Sequence, residues 1–153
     1  MKSILERYQQ LNQYPGGNAL FGFLVGINAP FFGKIRPKFI TLKPAYCETQ
    51  IKDRWGVRNH LGSINAGALC SMAEMTGGLA LDTIVPKTLR WIPRSMSVEY
   101  IAKAKGTITA TSEFNPDIVK EGDIIIPIII KNKNQQVVFT AQITFYISSK
   151  KQT

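Results

Sequence analysis

From Ala66 to Leu81 the chain reads A-G-A-L-C-S-M-A-E-M-T-G-G-L-A-L, sixteen residues with a single charge, Glu74. Apolar side chains fall on every face of the helical period, which predicts a helix buried on nearly all sides rather than one lying on a surface. Such a helix needs something to bury it, and strands follow it. Ser97 to Lys105, Thr107 to Glu113, Asp123 to Asn132 and Val137 to Ile147 alternate or run apolar in the manner of strands, and Leu89–Ile92 adds a short one. Within Asp123–Asn132, read as a buried run, Pro127 predicts a bulge or a missing ladder bond. Before the helix, Lys38–Lys43 and Tyr46–Asp53, joined at Pro44-Ala45, read as a hairpin.

Two short helices are expected at the N-terminal end. One spans residues 3–14 and stops at Pro15-Gly16-Gly17; the other is capped by Asn18 and runs to about Asn28, before Pro30. A single sheet has one face to bury, and the helix after Asn65 is the only long apolar object available. The expectation is therefore an α+β domain in which an antiparallel sheet of about six strands curls around one central helix. Its 153 residues make one domain, 1–153, with a helical segment at 1–33 and a core at 34–153.

Composition excludes several classes. Apolar residues are 44% and charged residues 19%, as in ordinary soluble globular chains. The two cysteines, Cys47 and Cys70, have neither metal-ligand spacing nor the density of a secreted disulfide scaffold, so no metal is expected. They read as small buried hydrophobes. The first ten residues break into charge before any apolar stretch develops, so no signal peptide is expected, and no run is long enough for an ordinary spanning helix. A cytoplasmic location follows as the expectation.

The net charge of +9 is uneven. Residues 34–58 and 85–105 together hold twelve bases against three acids, which is the whole excess. Two basic patches flanking the central helix can seat a polyanion, or can serve as solubilising charge on exposed strands. Glu74 sits between them in sequence. Desolvation in an apolar helix penalises its charged form and favours a proton-accepting role; the plainer alternative is a solvated carboxylate, or a partner for Arg54 or Arg58. Gly77-Gly78 costs about 2 kcal/mol in helix propensity, which predicts a close approach by another element. Trp91, between Arg90 and Arg94, reads as packing at a sheet edge or as a stacking surface for an adenine.

The segment N-H-L-G-S-I-N-A-G-A-L-C-S-M-A-E, Asn59 to Glu74, together with this order of elements, resembles the hotdog-fold thioesterases that act on phenylacetyl-CoA and related acyl-CoAs. It is most similar to a branch in which the helix is followed by a basic segment, here P-K-T-L-R-W-I-P-R. That family carries an Asn, a His-Gly-Gly six residues later, and an Asp or Glu nine residues after the His. Asn59 matches the Asn and Glu74 the acid, while Asn65, Ala66 and Gly67 stand at the His-Gly-Gly positions.

The resemblance implies roles for each. Glu74 activates a water or attacks the thioester itself; the Ala66 N–H at the helix start polarises the carbonyl; Asn59 orients water or carbonyl from the other subunit. Asn65 and Ala66 depart from the pattern, and Asn65 also fits the requirements of a helix N-cap. Coenzyme A phosphates give the bases a purpose, with Arg90, Arg94, Lys103 and Lys105 as the candidates, the last two sharing a strand face. The acyl chain is expected between subunits, beside Met72 and Met75. The implied function is acyl-CoA thioester hydrolysis by a homodimer or dimer of dimers, with coenzyme A only as part of the substrate and no other cofactor.

Rivals remain. The same fold serves non-catalytic acyl or acyl-CoA binding. A dehydratase of the hotdog type would pair His60, the only histidine, with Glu74, although the loop around His60 lacks that family's proline-rich character. Nucleic-acid binding is suggested by charge alone and lacks any recognition motif, so no nucleic-acid partner is expected.

Overall fold

Alternating burial builds the sheet. In the computed structural model, which describes residues 3–150, six strands form one antiparallel sheet: β1 (Lys38–Lys43), β2 (Tyr46–Ile51), β3 (Leu89–Tyr100), β4 (Ile108–Glu113), β5 (Gly122–Asn132) and β6 (Val137–Ser149). Residues 1–2 and 151–153, the two ends of the expected 1–153 domain, lie outside the described residues. The spatial order is β1-β2-β4-β5-β6-β3, so β1 and β3 are the edges.

Along β5, Ile124, Ile126, Ile128 and Ile130 are buried while Ile125 and Ile129 face outward. The strand is thus half-buried, not buried on both faces as its isoleucine run suggests. The β4–β5 ladder stops at Thr111–Ile129, short of Pro127, which accounts for a proline in a central strand. In β6 the inward set is Phe139, Ala141, Ile143, Phe145 and Ile147, as its alternation predicts.

These inward rows enclose α4 (Ala66–Asp82), which lies against β2, β4, β5 and β6. Met72, Ala73, Met75, Ala80 and Leu81 are fully buried there. Gly77 and Gly78 are the points of closest approach: a Cβ at Gly78 would stand 2.8 Å from Cη2 of Trp91, and one at Gly77 would stand 3.1 Å from Ile128. The close packing expected of the glycine pair is present.

A pair of threonines places polar contacts inside this core. The hydroxyls of Thr49 (β2) and Thr76 (α4) are 2.7 Å apart, and Thr76 Oγ1 lies 2.7 Å from the Met72 carbonyl. Thr76→Val is expected to lower the unfolding free energy by about 1–3 kcal/mol in a denaturant titration, because the Thr49 hydroxyl is left buried without a partner. The double variant Thr49→Val/Thr76→Val should recover much of that loss, since both ends of the bond are then apolar.

The N-terminal helices are three, not two. α1 (Ile4–Leu11) starts on a capping box, with the Glu6 N–H donating to Ser3 Oγ at 3.1 Å and the Ser3 N–H to Glu6 Oε2 at 2.7 Å. α2 (Gly17–Asn28) begins after Gly16, whose φ of 82° replaces the Asn18 cap expected from sequence. α3 (Pro30–Ile35) is the helix the sequence reading lacks: Pro30 opens it at the first helical position, where a missing N–H has no consequence. Edge-to-face contacts link Tyr8 to Phe21 at 5.2 Å and Phe21 to Phe39 at 4.9 Å, fastening the helices to β1. Together α1–α3 form a cap over the face of α4 that the sheet leaves open. No helix among the described residues is long and apolar enough to cross a membrane.

Candidate active site

The chain enters α4 through a braced loop. The backbone N–H of Asn65 donates to the Val57 carbonyl and that of Ile64 to the Ala104 carbonyl, both at 2.8 Å. Asp53 accepts from Arg58 Nε at 2.5 Å and from the Gly106 N–H at 2.9 Å. The Arg58 guanidinium holds the Asp53 carboxyl below its usual range, with help from the Gly106 N–H and against the opposing effect of burial. A carboxylate with a depressed folded pKa stabilises the fold at pH values above the ordinary carboxylate range, and that contribution fades as pH falls through the folded value. Asp53→Asn is therefore expected to cost about 1 kcal/mol at neutral pH, modest because Arg58 is 44% exposed, and nothing in acid; urea titrations at both pH values check it.

At the helix start, Asn65 Oδ1 accepts the Gly67 N–H at 2.7 Å. Asn65 is thus the N-cap, and the Gly67 N–H is occupied by it. The Ala66 N–H has no such partner and is exposed with its residue. Asn59 is committed to its own loop: Oδ1 accepts the N–H groups of Leu61 at 3.0 Å and Ser63 at 3.2 Å, and Nδ2 donates to Ser63 Oγ at 3.1 Å. His60 is exposed.

Glu74 is half-buried on α4. It lines a cleft of ≈ 380 Å³ between α4 and the helical cap, walled by Phe21, Leu24, Val25, Phe32, Met75 and Leu79 and reached by Arg7. Asn65 and Gly67 line a different cavity, of ≈ 330 Å³, with Phe31, Lys34 and Arg58. Glu74 lies about two turns or more further along α4, roughly 10 Å or more along the axis, and the acid and the helix start do not share a cavity within one protomer. Of the two methionines expected beside the acyl chain, Met75 lines the Glu74 cleft and the fully buried Met72 does not.

The four basic candidates do not gather at Glu74. Arg94 Nη1 donates to both Asp123 carboxylate oxygens, at 2.8 and 2.9 Å, and the guanidinium lies over the Tyr146 ring at 5.2 Å, on the outer face of the sheet. Arg90 Nε donates to Ser148 Oγ at 3.3 Å. Lys103 and Lys105 are exposed, but β3 ends at Tyr100, so they ride an extended loop and share no strand face. What the sequence splits into two strands, Leu89–Ile92 and Ser97–Lys105, is one strand with a register shift between Pro93 and Ser95.

Residues 17–147 match the family described as a domain of unknown function, DUF4442. The chain belongs to the DUF4442 family. Among solved structures, genomics APC5556 is 36% identical with a TM-score of 0.85, covering 96% of this chain and 99% of that one. The Pseudomonas aeruginosa protein PA5026, described as a probable thioesterase, is 20% identical with a TM-score of 0.78, over 90% and 97% of the two chains. The Escherichia coli PaaI protein from the phenylacetic acid degradation operon is 14% identical with a TM-score of 0.72, over 94% and 95%. At those last identities the likeness speaks for the fold, and the fold is the hotdog. No curated protein matches the chain in sequence.

This DUF4442 chain also holds site features that sequence reasoning missed. Asp82, at the end of α4, lines the Glu74 cleft and accepts the Trp91 indole N–H at 2.6 Å. Although part of Asp82 remains in solvent, burial of its carboxyl pushes its pKa up, opposed by the Trp91 N–H and by Lys150. Trp91 itself packs edge-to-face on Phe145 at 5.0 Å, the packing role foreseen for it. Cys47 is a buried hydrophobe as expected, its thiol pushed up by burial. Cys70 is not: it is half-buried one turn before Glu74, 3.4 Å from the Tyr100 hydroxyl, and that contact raises the phenol's pKa. The i, i+4 spacing of Cys70 and Glu74 was readable; the approach of Tyr100 from β3 was not.

Proposed function

We propose that this DUF4442 chain is an acyl-CoA thioesterase in which Glu74 activates the attacking water. The observation that carries the reading is a half-buried carboxylate on the central helix, opening into an otherwise largely apolar cleft of ≈ 380 Å³. A carboxylate can take the proton of a water held beside it, and apolar walls exclude competing solvent. PA5026 and PaaI share the fold, and PA5026 is described as a probable thioesterase.

The reading requires two protomers. In one chain the free Ala66 N–H and Glu74 lie eight residues, about 12 Å, apart along α4, and Glu74 opens into a cleft that the helix start does not line, so a carbonyl touching both must sit between two copies of the helix. The edge strand β3 pairs only with β6 and offers an unpaired ladder of 12 residues to a second copy. The helix start, with its dipole and its unpartnered N–H, then supplies the oxyanion site. Lys34 and Arg58 beside that start join Arg90, Arg94, Lys103 and Lys105 as candidates for phosphate contact, although Arg94 would first have to leave Asp123.

A second reading, acyl-CoA binding without turnover, is favoured by one observation: Asn65 is held as an N-cap where the related enzymes carry a histidine. The dehydratase reading is weaker because His60 projects into solvent from its loop. Purified protein assayed against acyl-CoAs from acetyl to palmitoyl separates these readings. Free thiol released at a rate proportional to enzyme supports hydrolysis; saturable binding with no thiol released over hours supports the second reading.

A further inference from the structure

Trp91 has a position that packing alone does not explain. Its indole is held from three sides: Nε1 donates to Asp82 at 2.6 Å, the ring meets Phe145 at 5.0 Å, and its tip lies where a Cβ on Gly78 would be 2.8 Å away. So fixed, it borders two cavities at once. On one side is the apolar cleft that holds Glu74; on the other is a cavity of ≈ 610 Å³ bordered by Lys87, Arg90 and Lys150. Ile4, Asp82 and Trp91 are the residues common to both.

We propose, resting on the thioesterase reading, that the cleft beneath the N-terminal cap is the acyl chamber of each protomer and that Trp91, clamped by Asp82, is its floor, restricting the enzyme to straight acyl chains of medium length. Glu74 and Asp82 line the same cleft and are eight residues apart on α4, which places mouth and floor about 12 Å apart along the helix axis. An extended chain of roughly nine carbons fills that length, whereas an aryl-acetyl group leaves much of it empty. The walls suit hydrocarbon: Leu24, Val25 and Phe32 from the cap face Met75 and Leu79 from α4. Beyond the floor Lys87, Arg90 and Lys150 stand beside Val85, Pro86 and Leu89, so the clamped indole, and not a change to a wholly polar lining, is what stops the chain. The acyl group thereby lies within one protomer, under α1–α3, and not in the seam between subunits.

The test is kcat/KM for straight-chain acyl-CoAs from butyryl to palmitoyl. Each methylene buried should raise kcat/KM by about fourfold until the floor is met, near octanoyl to decanoyl, with a fall of at least about tenfold by palmitoyl. Trp91→Ala joins the two cavities and should move the optimum to longer chains. Leu24→Trp fills the chamber from the cap and should move it to shorter ones; this position, 39% exposed, tolerates substitution if Trp91→Ala fails to fold. A thermal melt establishes which variants are folded. An active enzyme whose optimum is unmoved in every folded variant overturns the floor and leaves the thioesterase reading intact. Absence of hydrolysis in the wild type overturns that reading instead. Thermal stabilisation by free fatty acids of graded length then takes over as the readout, and a chain-length cut-off unmoved by the variants counts against the chamber.

Discussion

Glu74→Gln is expected to lower kcat for acyl-CoA hydrolysis by about 10² to 10⁴ while leaving KM within a few-fold, because a general base acts in the transition state and contributes little to ground-state binding. Glutamine keeps the shape of the side chain and its place in the cleft but cannot accept the proton. The half-burial of Glu74 among Phe21, Leu24 and Met75 makes the change tolerable structurally, so a lost rate cannot be ascribed to a lost fold if the melting temperature holds. Asp82, in the same cleft, is the internal control for charge. It is a distant carboxylate engaged by the Trp91 N–H, and Asp82→Asn keeps an acceptor for that N–H. The neutral substitution there should alter chain-length preference more than maximal rate. A Glu74→Gln enzyme with unchanged turnover would remove the mechanism outright.

Phe145→Ala should cost about 3–5 kcal/mol, a large share of the stability of an ordinary domain. Phe145 is fully buried on the inner face of β6 and carries the edge-to-face contact that braces Trp91. Its loss leaves a cavity between sheet and helix that Gly77 and Gly78 have no side chains to fill. The neighbouring residue, Tyr146, faces outward under the Arg94 guanidinium, where truncation removes an exposed contact worth only about 0.5–1 kcal/mol. Urea titrations of the two variants should therefore differ several-fold in the shift of midpoint. A larger shift for the Tyr146 variant than for the Phe145 variant would mean that the inward and outward assignments of β6 are reversed.

Much of this was legible from residue order. A run of sixteen residues with one charge has no stable place on a surface, so α4 could only be central. The alternation in β6 is carried by large side chains at every second position, and period two admits no other reading there. Prolines misled in both directions. Pro30 reads as a stop yet starts α3, since the first helical turn needs no N–H; Pro93 reads as a break yet lies inside β3, on a sheet edge where a register shift absorbs it. Lys103 and Lys105 have strand spacing, but the chain leaves the ladder after Tyr100, a decision made by tertiary pairing with β6 and not by local preference.

The site was legible only as far as single elements reach. Glu74 stands out because nothing else on α4 but the terminal Asp82 is charged, and Asn65 fits an N-cap by residue type and position. The cleft itself is made by elements far apart in sequence, α1–α3 on one side and Trp91 on the other, and no spacing rule connects them. The separation of Ala66 from Glu74 was in principle countable. Eight residues put them about 12 Å apart along the helix axis, too far for one carbonyl to touch both, which already points to a second protomer.

The most direct measurement is a crystal structure with a ketone analogue of octanoyl-CoA, a methylene standing in for the sulfur so that the carbonyl survives. The account predicts its carbonyl carbon about 3–3.5 Å from the Glu74 carboxylate or from a water held by it, its oxygen toward the N–H of Ala66 of the partner subunit, and its alkyl chain ending against Trp91. A carbonyl bound away from Glu74, with the cleft beneath the cap empty of the acyl chain, would contradict it.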